Sequence, residues 1–279
     1  METAIDKYPR TPHAAGSRLQ KGDTAEGQVS LSEMKRLHPG ARMIIEEKID
    51  GAQAGMSYGP DLEQRLQSRG HYLSGGAREA QFNLFKEWAQ VHDAAFMDRF
   101  EDRYSMYGEW AFARHTQFYD ALPHYFFEFD ILDRETGQFL STEARRDLLD
   151  GLPVISVPVL ADDWPGSETE MLDLVGPSLY RSEAWRENLR DAAINAGVDA
   201  DQAVAECGPS ADLMEGLYIK IEKDGETVGR YKWVHPDFVQ TIIEGGVHWS
   251  QRPMIRNGLA EGVDLFAVPQ TTEPAPCGA

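Results

Sequence analysis

Met43-Ile44-Ile45-Glu46-Glu47-Lys48-Ile49-Asp50-Gly51 runs from two apolar β-branched residues into charged residues and a glycine. This pattern predicts a strand that starts in the core and surfaces at a turn. Side chains alternate along a strand, so Lys48 and Asp50 face the same way. A lysine beside a carboxylate at the mouth of a strand presents an amine nucleophile together with a group that orients it. Alone, Lys-x-Asp-Gly says little, since average usage places it by chance in on the order of one chain in twenty of this length.

Outward from that strand, Ala54 to Tyr58 continues as strand, Gly59-Pro60-Asp61 turns the chain, and Leu66 to Arg69 returns as the hairpin partner. The pairing brings Arg69 back beside Lys48. Upstream, residues 1 to 30 read as irregular. Within them Tyr8-Pro9-Arg10-Thr11-Pro12-His13 reads as an extended arm lying on the domain, with phosphate binding by Arg10 and His13 as the alternative. Leu31 to Leu37 reads as a short helix capped by Ser32 and stopped by Gly40.

Downstream, Phe82, Phe85, Ala89, His92, Phe96 and Phe100 recur at near-helical spacing and predict one long amphipathic helix from Ala77 to Arg103, with His92 packed in its stripe. Tyr104 to Phe112 reads as a strand carrying Gly108-Glu109, and Tyr125 to Leu132 as the most strand-like segment, with Tyr125, Phe127 and Phe129 on one face. From Ser141 to Gly208 the chain reads as mostly helical, with caps at Ser141 and Ser167 and a strand near Val154 to Leu160, its charges forming a solvated face. Leu217 to Glu222 and Gly229 to Val234 form a hairpin about Lys223-Asp224-Gly225-Glu226, placing Arg230 and Lys232 on one side. A closing helix is expected from Asp237 to Glu244 and a disordered tail after Val268.

Taken in order, Glu47-Lys48-Ile49-Asp50-Gly51, Ser68-Arg69-Gly70, Tyr107-Gly108-Glu109, Phe127-Glu128-Phe129-Asp130, Met214-Glu215-Gly216 and Arg230-Tyr231-Lys232 resemble the collinear motifs of covalent nucleotidyltransferases, the polynucleotide ligases and mRNA-capping enzymes. Within that superfamily the chain looks most like the ATP-dependent RNA ligases of the RNA ligase 2 type. Six signals in the right order are far more specific than any one of them. The resemblance implies an α+β fold, an ATP-grasp-like ligase adenylation domain of antiparallel sheets flanked by helices. It would span residues 41–247, preceded by an arm and short helix (1–40) and followed by an extension and tail (248–279).

The same resemblance implies a three-step ligation. Lys48 attacks the α-phosphate of ATP to form a lysyl-AMP, AMP passes to an RNA 5′-phosphate, and a 3′-hydroxyl then displaces AMP. It assigns Glu47 to adenine, Arg69 and Glu109 to the ribose and its 3′ side, and Phe129 to stacking on the base. It gives Glu215 to Mg²⁺, or Mn²⁺ in its place, Arg230 and Lys232 to the phosphates, and Asp50 to the nucleotide-bound lysine. RNA ends or nicked duplexes become the partners, with an end-healing kinase or phosphatase alongside. Two departures stand out. Gln53 occupies a position where RNA ligases tend to carry asparagine, and Arg230 replaces the first lysine of the usual Lys-x-Lys.

Composition bounds the alternatives. With 279 residues and 42% hydrophobic content the chain can bury a core as one large domain. No apolar run approaches the ~20 residues a membrane span needs, and no signal peptide is apparent, which points to a cytoplasmic protein. Cys207 and Cys277 suggest neither a disulfide framework nor a metal site. The net charge of −19 opposes nucleic-acid binding. A local basic groove can still act inside an acidic envelope, because repulsion is screened over ~8 Å at physiological salt. Affinity for RNA should then be modest and salt-sensitive. Two other readings remain: a nucleotidyltransferase acting on DNA nicks or another acceptor, and a non-catalytic acidic interaction protein with a degenerate pocket.

At neutral pH a free lysine is the nucleophilic amine in only about one molecule in two thousand. Arg69, Arg230, Lys232 and a bound Mg²⁺ are expected to lower that barrier by disfavouring the ammonium form.

Overall fold

The computed structural model describes residues 5–19, 27–208, 210–236, 238 and 253–268. The helix expected at Asp237 to Glu244 and the tail beyond Val268 lie outside the described residues. The elements begin with helix α1 (Leu31–Leu37), strands β1 (Arg42–Glu47), β2 (Ala52–Tyr58) and β3 (Gln64–Ser68), and a 3-10 turn (Ala77–Phe82). Helices α2 (Asn83–Val91) and α3 (Asp93–Phe100) follow, then strands β4 (Tyr104–Trp110), β5 (Phe126–Asp133) and β6 (Gln138–Leu140) and helix α4 (Thr142–Leu149). The chain continues through β7 (Ile155–Ser156), β8 (Val159–Ala161), helices α5 (Glu168–Leu172), α6 (Trp185–Asn195) and α7 (Ala200–Ala205), and ends in β9 (Gly216–Lys223) and β10 (Glu226–Val234).

All ten strands join one sheet in the order β3-β2-β4-β5-β6-β10-β9-β1-β8, with β7 beside β5. Every pairing is antiparallel except β5 with β7. The α+β reading is correct. Short β6 links two half-sheets, and the segment Lys48–Gly51 crosses from β1 in one half to β2 in the other. That crossing places the lysine between the halves.

Each half has its own core. Helices α2 and α3 pack Phe85, Trp88, Phe96 and Phe100 against Trp110 and Phe126 of the first half. The rings of Phe85 and Phe126 stack at 5.3 Å and those of Trp88 and Phe96 meet edge-on at 5.3 Å. Such pairs add about 0.5–1.5 kcal/mol beyond area burial. Under the second half, Met34 of α1 and Met171 of α5 pack on Met43, Ile45, Leu217, Ile219 and Ile221. A third cluster joins α6 and α7 through Leu189, Ala193 and Ala203.

Local patterns place most boundaries well. In the β9–β10 hairpin Asp224 and Gly225 both take positive φ (53° and 84°), as the preferred two-residue turn requires. Ser141 and Ser167 cap α4 and α5, accepting from Ala144 N–H at 3.3 Å and Glu170 N–H at 3.1 Å. Two expectations need correction. The cap of α1 is Ser30, whose hydroxyl accepts from Glu33 N–H at 3.2 Å, not Ser32. The long helix is also broken, into the 3-10 turn, α2 and α3. His92 leaves helical geometry because Asp93 is held from the sheet, its carboxylate accepting from Tyr58 Oη and Gln64 Nε2, each at 2.8 Å. His92 packs against Trp88 and Phe96 as expected.

Candidate active site

A cavity of about 570 Å³ opens between the two half-sheets, and Lys48 lies on its wall just beyond the end of β1. The strand is buried at five of its six residues, so its register, and with it the lysine, is tightly specified. The Lys48 N–H donates to Gly216 O at 3.0 Å. This bond fixes the lysine backbone to the start of β9.

The nearest partner of the amine is Glu215, with Nζ to Oε2 at 2.6 Å. The Lys48 side chain keeps 24% of its surface exposed while that of Glu215 keeps 1%, and both line the cavity. Burial alone would lower the Lys48 pKa, but the carboxylates of Glu215, Glu109 and Asp50 outweigh it and hold the amine above its ordinary value. The expected lowering of the Lys48 pKa by Arg69, Arg230 and Lys232 is therefore corrected: the neighbouring carboxylates prevail. Burial pushes Glu215 up to about 7 against the pull of Lys48, and Glu109 up to about 8.

Glycines set the close approaches that bring these groups together. A Cβ on Gly216 would lie 1.9 Å from Trp233 O, and one on Gly51 would lie 2.7 Å from Trp110 O. Any side chain at Gly216 would push β9 off β10 and carry Glu215 with it. Asp50 is taken up by the chain itself: Oδ2 accepts from the backbone N–H groups of Thr116 at 2.8 Å and Gln117 at 2.7 Å, and its own N–H donates to Tyr119 Oη at 2.9 Å. Its place is that of an anchor for the loop after β4, which also brings His115 to the cavity.

The remaining walls come from both halves. Glu109 of β4 faces Gln53 across the β2–β4 pairing, and Ala54 faces Ser68 across β2–β3, which sets Arg69 at the rim on the far side of Gln53. Glu47 is 1% exposed, accepts from Leu179 N–H at 3.3 Å and is pushed up to about 7 by burial. Lys232 of β10 and the half-exposed ring of Phe129 complete the wall. Arg230, expected beside Lys232 at the phosphates, is not on the wall. Its guanidinium lies 3.6 Å from Asp130 and 3.7 Å from the centre of the Phe139 ring.

The N-terminal arm lies on the domain, as its composition suggests. Asp6 is bonded by Gln67, Tyr107 and Arg134, and Lys232 exchanges backbone bonds with Pro12 and Ala14 at 2.9 and 2.8 Å. Between these anchors Tyr8, Pro9 and Thr11 border the cavity, and Tyr8 meets Phe129 edge-on at 5.1 Å. Tyr8 Oη donates to Asp130 and also bonds Tyr218 Oη. Neither Arg10 nor His13 reaches the cavity; His13 is buried against Ser17 at 2.7 Å.

Beneath the Phe129 side of the cavity lies a feature no local pattern announces. Three carboxylates, Glu46, Glu128 and Asp130, are wholly buried with Arg145 and Lys220. Arg145 lies 2.9 Å from Glu46 and 2.6 Å from Glu128, and Lys220 lies 3.0 Å from Glu46 and 3.4 Å from Asp130. With Arg230 on Asp130, three positive charges meet three negative. Arg145 also donates to Phe129 O at 2.6 Å, and Lys220 donates to the same carbonyl. The network thereby pins the backbone of the residue whose ring faces the cavity. Arg145 comes from the segment read as a solvated face; it is 1% exposed, and that reading fails there.

The site suits an adenine nucleotide and a divalent cation on its own chemistry. Lys48, Arg69 and Lys232 offer positive charge, and Phe129 offers an aromatic face. Glu47 Oε1, Gln53 Nε2 and both amide atoms of Gln81 are buried without a hydrogen-bond partner among the described residues. Among the described residues no group of three or more His, Cys, Asp or Glu could hold a metal. Mg²⁺ asks less, since it keeps several waters and binds through one or two carboxylates plus substrate phosphates; Glu215 on the cavity wall fits that need. No helix among the described residues is long and apolar enough to cross a membrane.

The RNA ligase family profile matches residues 41–234. Comparison with curated proteins finds no match. Among solved structures, a glutamate-to-alanine mutant of Naegleria gruberi RNA ligase with ATP and Mn is 18% identical, with a TM-score of 0.49, 82% of this chain covered and 57% of that one. A lysine-to-alanine mutant of the same ligase with ATP and Mn is 17% identical, with a TM-score of 0.47 and coverages of 81% and 62%. An archaeal ATP-dependent RNA ligase is 16% identical, with a TM-score of 0.46 and coverages of 81% and 48%. This chain thus spans about half to three fifths of the length of these three structures.

Proposed function

Because the chain belongs to the RNA ligase family, we propose that it is an ATP-dependent RNA ligase that joins 3′-hydroxyl and 5′-phosphate ends through a lysyl-AMP on Lys48. The observation that carries this reading is the placement of Lys48 at the mouth of a buried strand, its amine open to the cavity and 2.6 Å from Glu215. In the first step the Lys48 amine forms a bond to the α-phosphorus of ATP and the bond to pyrophosphate breaks. Before that, Nζ must pass its proton to solvent in the open cavity and give up its bond to Glu215. Once released, Glu215 would hold a Mg²⁺, which would supply charge neutralisation at the phosphates.

The other residues act by position. Lys232 and Arg69 face the phosphates and sugar, Glu109 accepts from the ribose, and Glu47 contacts adenine. Asp50 acts through the loop it anchors, and Arg230 acts through Asp130. AMP then passes to an RNA 5′-phosphate, activating it, and a 3′-hydroxyl displaces AMP as the ends join. An end-healing kinase or phosphatase would supply those termini, and the demand for ATP fits a cytoplasmic site.

The test is incubation with α-labelled ATP and Mg²⁺ followed by denaturing electrophoresis. Label is expected to stay on the protein, to be released by acid and to survive base, with ATP far ahead of GTP. No covalent adducts with any divalent metal would defeat the reading. Replacement of Phe129 gives a second expected result. Phe129→Leu should weaken ATP binding by roughly 1–3 kcal/mol through lost stacking, measured by calorimetry, with circular dichroism unchanged. A variant that unfolds would instead make the ring part of the core.

A further inference from the structure

Residues 255–259 lie outside the span that the family profile matches, yet they run alongside the loop that holds Asp50. Arg114 N–H donates to Ile255 O at 2.8 Å, Asn257 N–H to Phe112 O at 2.9 Å and Gly258 N–H to Tyr119 O at 2.8 Å. Leu122 N–H then donates to Gly258 O at 3.1 Å, and a Cβ on Gly258 would lie 3.1 Å from Asp120 Cα. This strip accompanies the connection between β4 and β5 along most of its length.

At the centre of the strip Asn257 is 1% exposed. Its side chain joins the two ends of the loop: Oδ1 accepts from Tyr119 N–H at 3.0 Å and Nδ2 donates to Ala111 O at 2.9 Å. An amide is the side chain that can accept from an N–H and donate to a carbonyl at once. From within the closed loop Thr116 and Gln117 give their N–H groups to Asp50 Oδ2, and Tyr119 Oη accepts from Asp50 N–H. Asp50 stands two residues beyond Lys48, its carboxylate acts on the amine, and His115 of the same loop borders the cavity. Arg69 and Lys232, by contrast, are placed by the pairing of β3 and β10. A shift of the loop therefore reaches the surroundings of the amine before it reaches the walls that would grip a nucleotide.

We propose that Asn257 is a positioning residue for the adenylation of Lys48: by joining Ala111 to Tyr119 it holds the loop that fixes Asp50 and His115 beside the amine. It acts through Tyr119 and Asp50 and does not meet the nucleotide. The proposal rests on the ligase reading, and extends the catalytic unit to a residue beyond the matched span and outside the six motifs.

The test compares the whole chain with its Asn257→Leu, Asn257→Asp and Tyr119→Phe variants in rapid-quench self-labelling with α-labelled ATP and Mg²⁺ at increasing ATP. The amplitude counts folded, competent molecules, the half-saturating ATP concentration reports nucleotide binding, and the rate constant at saturation reports alignment of the amine. Asn257→Leu should lower the rate constant at least about ten-fold, since a misplacement of about 1 Å can cost about a hundred-fold. Half-saturating ATP should stay within about two-fold of the wild type, because an interaction made only in the transition state is the one removed. Asn257→Asp keeps the acceptor for Tyr119 N–H and should recover most of the rate constant. Tyr119→Phe removes the hydroxyl that links Asn257 to Asp50 and should slow labelling in the same way; it carries the test if Asn257→Leu yields no folded protein. A residue of merely structural worth would lower the amplitude or the Tm and leave the rate constant of the folded molecules at the wild-type value, which would overturn the proposal. So would a change confined to half-saturating ATP, Asn257→Asp as slow as Asn257→Leu, or Tyr119→Phe as fast as the wild type. If the wild type does not self-label, the ligase reading fails and this one with it. If it labels and the variants label at its rate, the role of Asn257 alone fails.

Discussion

Lys48→Ala should show no covalent label from α-labelled ATP, because alanine offers no amine at the wall position where Nζ meets Glu215. The loss should run to the detection limit, a factor of at least about a thousand, as removal of a covalent nucleophile commonly costs. The pocket walls should remain. Given RNA whose 5′ end already carries AMP, the same variant should join it to a 3′-hydroxyl, since the last step needs positioning and charge stabilisation rather than the amine. Glu215→Ala should be impaired in both assays. Normal self-labelling by Lys48→Ala, or full activity of Glu215→Ala in both, would show that the site around Lys48 is wrongly drawn.

Arg145→Leu should be the most destabilising single change in the site's foundations. It strips the guanidinium from Glu46 and Glu128, both wholly buried, and leaves an uncompensated negative charge in the core. Breaking a buried pair on one side costs about 3–5 kcal/mol, a large fraction of the 5–15 kcal/mol that holds a typical domain. Urea unfolding measures it. Adding Glu128→Gln should recover part of the loss, because Glu46 and Asp130 then again balance Lys220 and Arg230. A double variant less stable than Arg145→Leu alone would mean that charge balance is not what the network provides.

The pH dependence of that variant has a definite sign. Burial already raises Glu46 above the usual carboxylate range against the pull of Lys220 and Arg145, and loss of Arg145 raises it further. A carboxylate with a raised folded-state pKa contributes stability fully below its unfolded pKa and loses it as pH rises through the folded value. The deficit relative to wild type should therefore shrink on acidification and be greatest at neutral and higher pH. Nucleotide binding should weaken as well, because Phe129 O loses its 2.6 Å donor.

Much of the site was legible because its signals are local. The β-branched run into Lys48, the hairpin that returns Arg69, the Gly108-Glu109 pair on β4 and the Asp224-Gly225 turn each depend on a few neighbouring residues, and backbone sterics with side-chain alternation decide them wherever they occur. The strict order of these pieces pointed to the RNA ligase family and to the α+β class. What the chain order could not convey is which side chains meet across long separations.

Lys48 and Glu215 pair over 167 residues, so the acidic surroundings of the amine follow from sheet order, not from the charges near it in sequence. Asp93 ends α2 because Tyr58 and Gln64 bond to it across the fold, overriding a helical stripe that continues unbroken in the sequence. Arg230 shares a strand face with Lys232 yet is drawn to Asp130, since a buried carboxylate binds a cation more strongly than an open cavity does. The sequence by itself thus determined most of the strands through periodicity and turn chemistry, and the order of its motifs pointed to the family and to Lys48 as the expected nucleophile. Only the tertiary structure decided the partners of each charge, because desolvation and Coulomb energy depend on burial and distance in space.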